Sequence, residues 1–269
     1  MPVALAGGMR PTPAPAVRGA VLASALLAGC APSSRLHPRA AEEVARGYQH
    51  LGRGDLERAE VAFEHALEFD PDLPEALNGR GVVERRRGRL DPARRWFEEA
   101  VAAAPDFAEA RVNLGESLLV EGQPARAEAA FREALAIDPD LLPARLDLAR
   151  ALLHRGRAAA DAERRSLWQR ARREYLHLLE SRPDLAEAWH DLAFMDYQAG
   201  DFARAEAGYR RAAEVDSRSV EALHGLCIAL ARQGRCAEAA TACRRCLEVA
   251  PETPECRRSL TGALACAGG

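Results

Sequence analysis

One block of sequence returns along this chain at a fixed distance, and that repetition limits the fold more than any other feature. The stretch GRGDLERAEVAFEHALEFDPD at 52–72 is echoed by GRLDPARRWFEEAVAAAPD at 88–106 and GQPARAEAAFREALAIDPD at 122–140. It comes back as GDFARAEAGYRRAAEVDSR at 200–218 and GRCAEAATACRRCLEVAPE at 234–252. Gly54, Gly88 and Gly122 stand 34 residues apart. A unit this short cannot bury an apolar face alone, so neighbours must stack to build a core.

Each unit reads as two helices. Apolar residues recur at three- and four-residue spacing, the mark of a helix with one buried stripe. Ala and Arg, both good helix formers, are heavily used. Glycine marks the turn between the two helices: Gly54, Gly88, Gly122, Gly156, Gly200 and Gly234. Five residues later comes a small residue where helices meet closely: Ala59, Ala93, Ala127, Ala205 and Ala239. Four further on stands a bulky one, Phe63, Phe97, Phe131 or Tyr209, with Cys243 as the odd member. Ala66, Ala100, Ala134 and Ala212 give a second small site. Pro71, Pro105, Pro139, Pro183 and Pro251 end the second helices, because proline cannot continue a helix.

These landmarks resemble the tetratricopeptide repeat, over almost all of residues 40–269. The resemblance implies an all-α fold, a right-handed superhelical α-solenoid of six helix pairs plus a C-terminal capping helix. The units are 40–73, 74–107, 108–141, 142–185, 186–219 and 220–253, with the cap and tail at 254–269. The fourth unit departs: Gly156 and the small residue Ala171 are 15 apart, and AAADAERRSL is roughly a ten-residue insertion. Its Arg164, Arg165, Arg170, Arg172 and Arg173 read either as a solvated helical extension or as a docking element. It either lengthens the second helix or bulges from the turn.

In this family the first helices line the inner face of the array. The family geometry implies a lining of Tyr48, Leu51, Asn78, Val82, Arg85, Arg86, Val112, Glu116, Leu119 and Val120. It continues through Leu146, Arg150, Leu153, His154, His190, Phe194, Tyr197, His224 and Ile228. About half are expected to be exposed, the others packing on neighbouring helices. Such an apolar groove with scattered Arg and His suits an extended or helical segment of a partner protein. Phe194 and Tyr197 are the expected anchors, since aromatics carry much of the energy of buried contacts. The Lys/Asn clamp of chaperone-binding repeats is missing, with Val44 and Tyr48 at its places.

The N-terminus tells where such an array would work. GAVLASALLAG at 19–29 is too short to span a bilayer but suits the apolar core of a signal peptide. Arg10 and Arg18 precede it, and Met9 would give a more compact start than Met1. Leu27-Ala28-Gly29-Cys30 resembles the lipobox of bacterial lipoproteins. The resemblance implies removal of 1–29, lipid on the Cys30 thiol and amino group, and a flexible linker over 30–39 holding the array near a membrane. A cytosolic protein with a chance cysteine is the plain alternative. Ala31, in place of Asp, implies the outer membrane by the enterobacterial sorting rule.

Six other cysteines crowd the C-terminus: Cys227, Cys236, Cys243, Cys246, Cys256 and Cys266. Disulfides, buried free thiols and a metal site are the three readings. Cys243-Arg-Arg-Cys246 has C-x2-C spacing, but zinc pairs of this kind usually sit on turns and this one falls inside a helix. In a stack of such repeats, the last second helix runs antiparallel to the cap. Facing residues then share one sum of numbers, as Cys236 with Cys266 and Cys246 with Cys256 do. Two disulfides at those pairs would staple the cap, with Cys227–Cys243 as a third. An oxidising periplasm permits this.

Net charge is −3 and the isoelectric point about 6.2, so no basic field invites nucleic acid. No G-x-S-x-G, H-E-x-x-H or phosphate-binding glycine loop is present. No catalytic residue, cofactor, metal or small-molecule substrate is expected. Six repeats behind a lipobox resemble the type IV pilus assembly lipoproteins, which implies a scaffold aiding secretin assembly. An adaptor for outer-membrane protein assembly or cell-wall enzymes, and a metal or redox accessory protein using the cysteines, are the other readings.

Overall fold

The computed structural model describes residues 37–268, and these hold thirteen α-helices with no strand among them. In chain order they are α1 (Pro38–Arg53), α2 (Leu56–Phe69), α3 (Pro74–Arg86), α4 (Leu90–Ala103), α5 (Ala108–Val120), α6 (Pro124–Ile137) and α7 (Leu142–Ala158). The rest are α8 (Asp161–Ser181), α9 (Ala186–Gln198), α10 (Phe202–Val215), α11 (Val220–Arg232), α12 (Cys236–Val249) and α13 (Pro254–Ala267). The described residues up to Trp96 form one compact unit, and those from Phe97 onward form another. Residues 1–29 and the lipidation candidate Cys30 lie outside the described residues. The linker expected over 30–39 stops short of Arg39, because Pro38 begins α1. A proline suits this first helical position, where its missing N–H is no loss.

The turns within pairs follow from their glycines. Gly122 has φ 73°, a left-handed conformation that costs glycine nothing. Its N–H donates to the Leu119 carbonyl at 3.0 Å and the N–H of Gln123 to that of Leu118 at 2.8 Å, so the last turn of α5 is satisfied. Gly54, Gly88, Gly200 and Gly234 share that backbone. Asp55 and Asp201 then cap the next helix, each accepting from the backbone N–H three residues on at 3.1 Å.

The turns between pairs have their own recurring bond. Arg111, Arg145, Trp189 and Arg257 hold the same place in the fourth position of their repeats. They donate to the carbonyls of Pro105, Pro139, Pro183 and Pro251 at 2.7, 2.5, 3.0 and 2.9 Å. In these four turns the proline that stops the second helix is thus tied to the helix that follows.

The core is a series of rings set into hollows. Phe63 on α2 is fully buried between Gly47 of α1 and Gly79 of α3. A Cβ on either glycine would fall 2.5 or 2.4 Å from the ring. Phe131 on α6 is set likewise against Gly115, and Tyr209 on α10 against Gly225. In the last full pair the ring position is Cys243 and the hollow position is Cys227. The two are bonded, with Cα atoms 5.3 Å apart.

The fourth pair is longer in both helices, 17 residues in α7 and 21 in α8, against 13 in α5 and 14 in α6. This corrects the role of Gly156. It lies inside α7, buried under the Trp168 indole, and is not the turn. Trp168 donates to the Leu153 carbonyl at 3.2 Å. Arg164 replaces the left-handed cap by donating to the carbonyls of Gly156 at 3.2 Å and Ala159 at 3.0 Å. Arg170 pairs with Glu128 of α6, which is 2% exposed and also holds Arg132 and Arg155. Arg172 pairs with Asp196 of α9. The basic insertion is therefore partly spent inside the array, while Arg165 and Arg173 stay exposed.

Helix α13 is held at both ends. Cys246–Cys256 ties its start and Cys236–Cys266 its end, with Cα separations of 6.2 and 5.7 Å. Between them Ala263 and Leu260 pack onto α11 and α12.

Two outcomes follow. Phe131→Ala leaves a ring-sized cavity beside a glycine that cannot fill it, and should cost about 3–5 kcal/mol in urea unfolding. A loss below about 1 kcal/mol would show that the ring is not what holds the helices together. Limiting dithiol followed by alkylation should label Cys236 and Cys266 first, since only Cys266 among the six bonded cysteines is exposed. Earlier labelling of Cys246 and Cys256 would show that burial does not govern access.

Candidate protein-binding face

The residues read from the sequence as a groove divide into surface and core. Leu51, Asn78, Val112 and Leu153 are buried, at 4, 4, 7 and 4% exposure, and are withdrawn from the face. Leu51, Val112 and Leu153 belong to the apolar core, and first helices meet there, α1 beside α3 and α5 beside α7. Asn78 is used internally, its amide donating to the Tyr48 hydroxyl at 3.2 Å while that hydroxyl donates to the Glu75 carbonyl at 3.1 Å. In the same unit Val82 and Arg85 are half-buried, and exposed Arg86 donates to the Leu51 carbonyl.

From Phe97 onward, α5, α7, α9 and α11 present the remaining candidates. Leu119, Glu116, Leu146, Arg150, His190, Phe194, Tyr197, His224 and Ile228 are half-buried, and Val120 and His154 are exposed. Two of them have charged partners, and a third meets a hydroxyl. Arg150 of α7 donates to Asp147 at 3.2 Å and pairs with Glu187 of α9. His190 meets Asp191 at 3.1 Å, and the buried Tyr175 hydroxyl donates to the same carboxylate at 2.6 Å. His224 reaches Ser259 of the cap at 3.0 Å.

Burial raises both aspartates, but their neighbours carry the net shifts in opposite directions. Asp147 is raised from 3.8 to about 7, by burial first and then by the nearby Glu116 charge, which outweigh Arg150. Burial would also raise Asp191, but the hydrogen bonds and charge of His190, with Tyr175 and Arg150, hold it below the usual range. Burial and then Asp191 push the Tyr175 phenol well above its ordinary value, so it remains a donor. Burial lowers His224.

Phe194 and Tyr197 lie one turn apart on α9, and each carries a guanidinium. Arg157 of α7 sits over Phe194 at 4.4 Å, with the Trp168 ring edge-on at 6.2 Å. Arg232 of α11 sits over Tyr197 at 5.8 Å and over Phe202 at 4.4 Å. The anchors therefore offer aromatic edges and cations together, rather than bare apolar rings. Arg157 and Trp168 were not among the sequence candidates; they flank the insertion, where α7 runs past the usual end of a first helix and α8 is lengthened. Arg232 was within reach: it holds the place in its repeat that Arg86, Val120 and His154 hold in theirs.

The repeating helix pairs match tetratricopeptide-repeat family profiles over residues 44–106, 118–163 and 196–254, more than half of the chain. This chain is a tetratricopeptide repeat protein. No curated protein matches the sequence. Among solved structures the tetratricopeptide array is similar to PilW, described as a widely conserved type IV pilus biogenesis factor. The likeness has TM-score 0.70 at 21% identity, covering 83% of this chain and 99% of that one. It is similar also to Pseudomonas aeruginosa PilF, with TM-score 0.69 at 18% identity, over 82% of this chain and 96% of that one. YrrB, described as a repeat protein with an unusual peptide-binding site, gives 0.58 at 14% identity, over 74% of this chain and 98% of that one. At these identities the likeness is one of fold. Among the described residues, no helix is long and apolar enough to cross a membrane, and no three His, Cys, Asp or Glu side chains gather as a metal site.

The Asp147 shift has a checkable consequence. Its folded value lies above its unfolded one, so its contribution to stability is fullest below about pH 4 and is lost as pH rises toward about 7. Urea unfolding of Asp147→Asn at stepped pH should lack that decline, so the variant gains on the parent between pH about 4 and about 7. Parallel curves would show that Asp147 titrates normally.

Proposed function

We propose that this protein is a non-enzymatic scaffold that binds partner proteins through its first-helix face and is lipid-anchored through Cys30 in a bacterial outer membrane, facing the periplasm. The observation that carries the role is the fold likeness to PilW and PilF, which runs over nearly all of both those chains. On that reading the protein assists type IV pilus biogenesis, and secretin assembly is the step we assign it. The lipobox-like Leu27-Ala28-Gly29-Cys30 supports the anchor, and three disulfides suit an oxidising compartment. Fold alone does not choose a partner, so the test must be made in cells.

Tagged protein, crosslinked in living cells and purified from detergent-solubilised envelope, should bring down a secretin subunit. Phe194→Ala with Tyr197→Ala should abolish that enrichment while the protein stays helical by circular dichroism, with a lowered melt because both rings pack on the core. Cys30→Ser should move the protein out of the membrane fraction. Recovery of barrel-assembly or cell-wall proteins instead would keep the scaffold and remove the pilus role.

A further inference from the structure

Most arginines facing the first helices are already neutralised. Arg150 has Asp147 and Glu187, Arg155 has Glu128 and Glu163, and Arg172 has Asp196. Arg157 and Arg232 differ. Both are exposed, and neither has a carboxylate partner among the described residues. Their contacts are aromatic: Arg157 on Phe194, Arg232 on Tyr197 and Phe202. Stacking on a ring holds a guanidinium in place through its face and leaves the N–H edge, five donors in a fixed fork, pointing outward. The one polar contact is a long one, Arg232 to the Tyr197 hydroxyl at 3.5 Å.

The two cations flank one helical turn of α9. Phe194 and Tyr197 are three residues apart, a rise of about 4.5 Å. Alternate side chains of an extended strand are about 7 Å apart. Same-side residues of an extended partner could thus address the two guanidinium groups, while the residues between them in sequence face away. Arg157 exists in this position only because α7 runs on to Ala158, past the residue His154 that matches the end of α5 at Val120. The lengthening of α7 in the fourth repeat thereby supplies half of the pair.

We propose that Arg157 and Arg232, held on Phe194, Tyr197 and Phe202, form a two-point carboxylate receptor, and that the partner segment bound there is acidic, with carboxylates alternating with apolar residues. This rests on the protein-binding reading above and names the chemistry of its partner. Charge complementarity selects the occupant: two unneutralised forks with no opposing acid of their own beside them. A guanidinium–carboxylate pair of this kind is directional and charge-assisted.

The experiment uses the folded protein with its disulfides and three fluorescein-labelled peptides, alternating Glu–Leu, Gln–Leu and Lys–Leu, followed by anisotropy. The Glu–Leu peptide should bind most tightly and weaken with added salt. Arg157→Gln with Arg232→Gln should reduce its affinity about tenfold or more. Arg157→Glu with Arg232→Glu should turn the preference to Lys–Leu, a change of sign that mere loss of folding cannot produce. Equal binding of Glu–Leu and Gln–Leu, unchanged in both arginine variants, overturns the acidic partner. If that common binding is still lost in Phe194→Ala with Tyr197→Ala, the protein-binding face stands without it. Absence of Glu–Leu binding overturns the receptor.

Discussion

The array depends on one contact, a ring from the second helix of a pair pressed into a place where the first helices carry no side chain. Phe63 shows it fully, since it touches Gly47 of its own pair and Gly79 of the next. One side chain thereby fixes both the packing within a pair and the step to its neighbour. A ring buries a large apolar area and a missing Cβ lets backbone approach it, so the gain is dispersion and area together. The contact is also why the array tolerates so much change elsewhere. Tyr175 and Tyr209 keep the ring, and Tyr175 adds a hydroxyl that Asp191 accepts. In the last full pair, Cys227 and Cys243 replace hollow and ring by a bond that does the same job over a shorter reach.

The fourth pair shows how the array absorbs an insertion without losing register. Extra residues are taken up as longer helices rather than a loop, with Trp168 covering Gly156 and Arg164 closing the end of α7. Beyond the added turns, Ala171 and Tyr175 resume the ordinary buried places. The buried Glu128 needs counter-charge because an unpaired buried carboxylate is costly. Helix α8 supplies Arg170 for that purpose. What remains outside is Arg157, carried past the usual end of a first helix and onto Phe194.

The candidate face therefore has two characters. Around Arg150, His190 and Asp191 it is a closed network of charges that satisfies itself. Around Phe194, Tyr197 and Arg232 it is aromatic and cationic, and open. Only the second kind has donors to spend on another chain. The likeness to PilW and PilF is one of fold, and the side chains on the face decide what it would hold.

Periodicity made the helix pairs, their turns and their stacking legible before any coordinates. Proline, glycine and small residues act through backbone sterics that hardly depend on distant parts of the chain. The numbers of Cys236, Cys246, Cys256 and Cys266 carried pairing information for a similar reason: antiparallel helices convert sequence distance into height. Other features needed the tertiary structure. Gly156 looks like a turn residue in sequence, and it is a packing surface only because Trp168 comes back onto it. Leu51, Asn78, Val112 and Leu153 differ from exposed neighbours by what packs over them in space, which no local pattern records. The raised Asp147, the ring-borne Arg157 and the ion-paired Arg150 arise where three helices meet. Charge and desolvation there depend on side chains far apart in sequence. Sequence determined the repeating framework because its rules are local. Tertiary structure decided the surface, because exposure and charge are properties of neighbours in space.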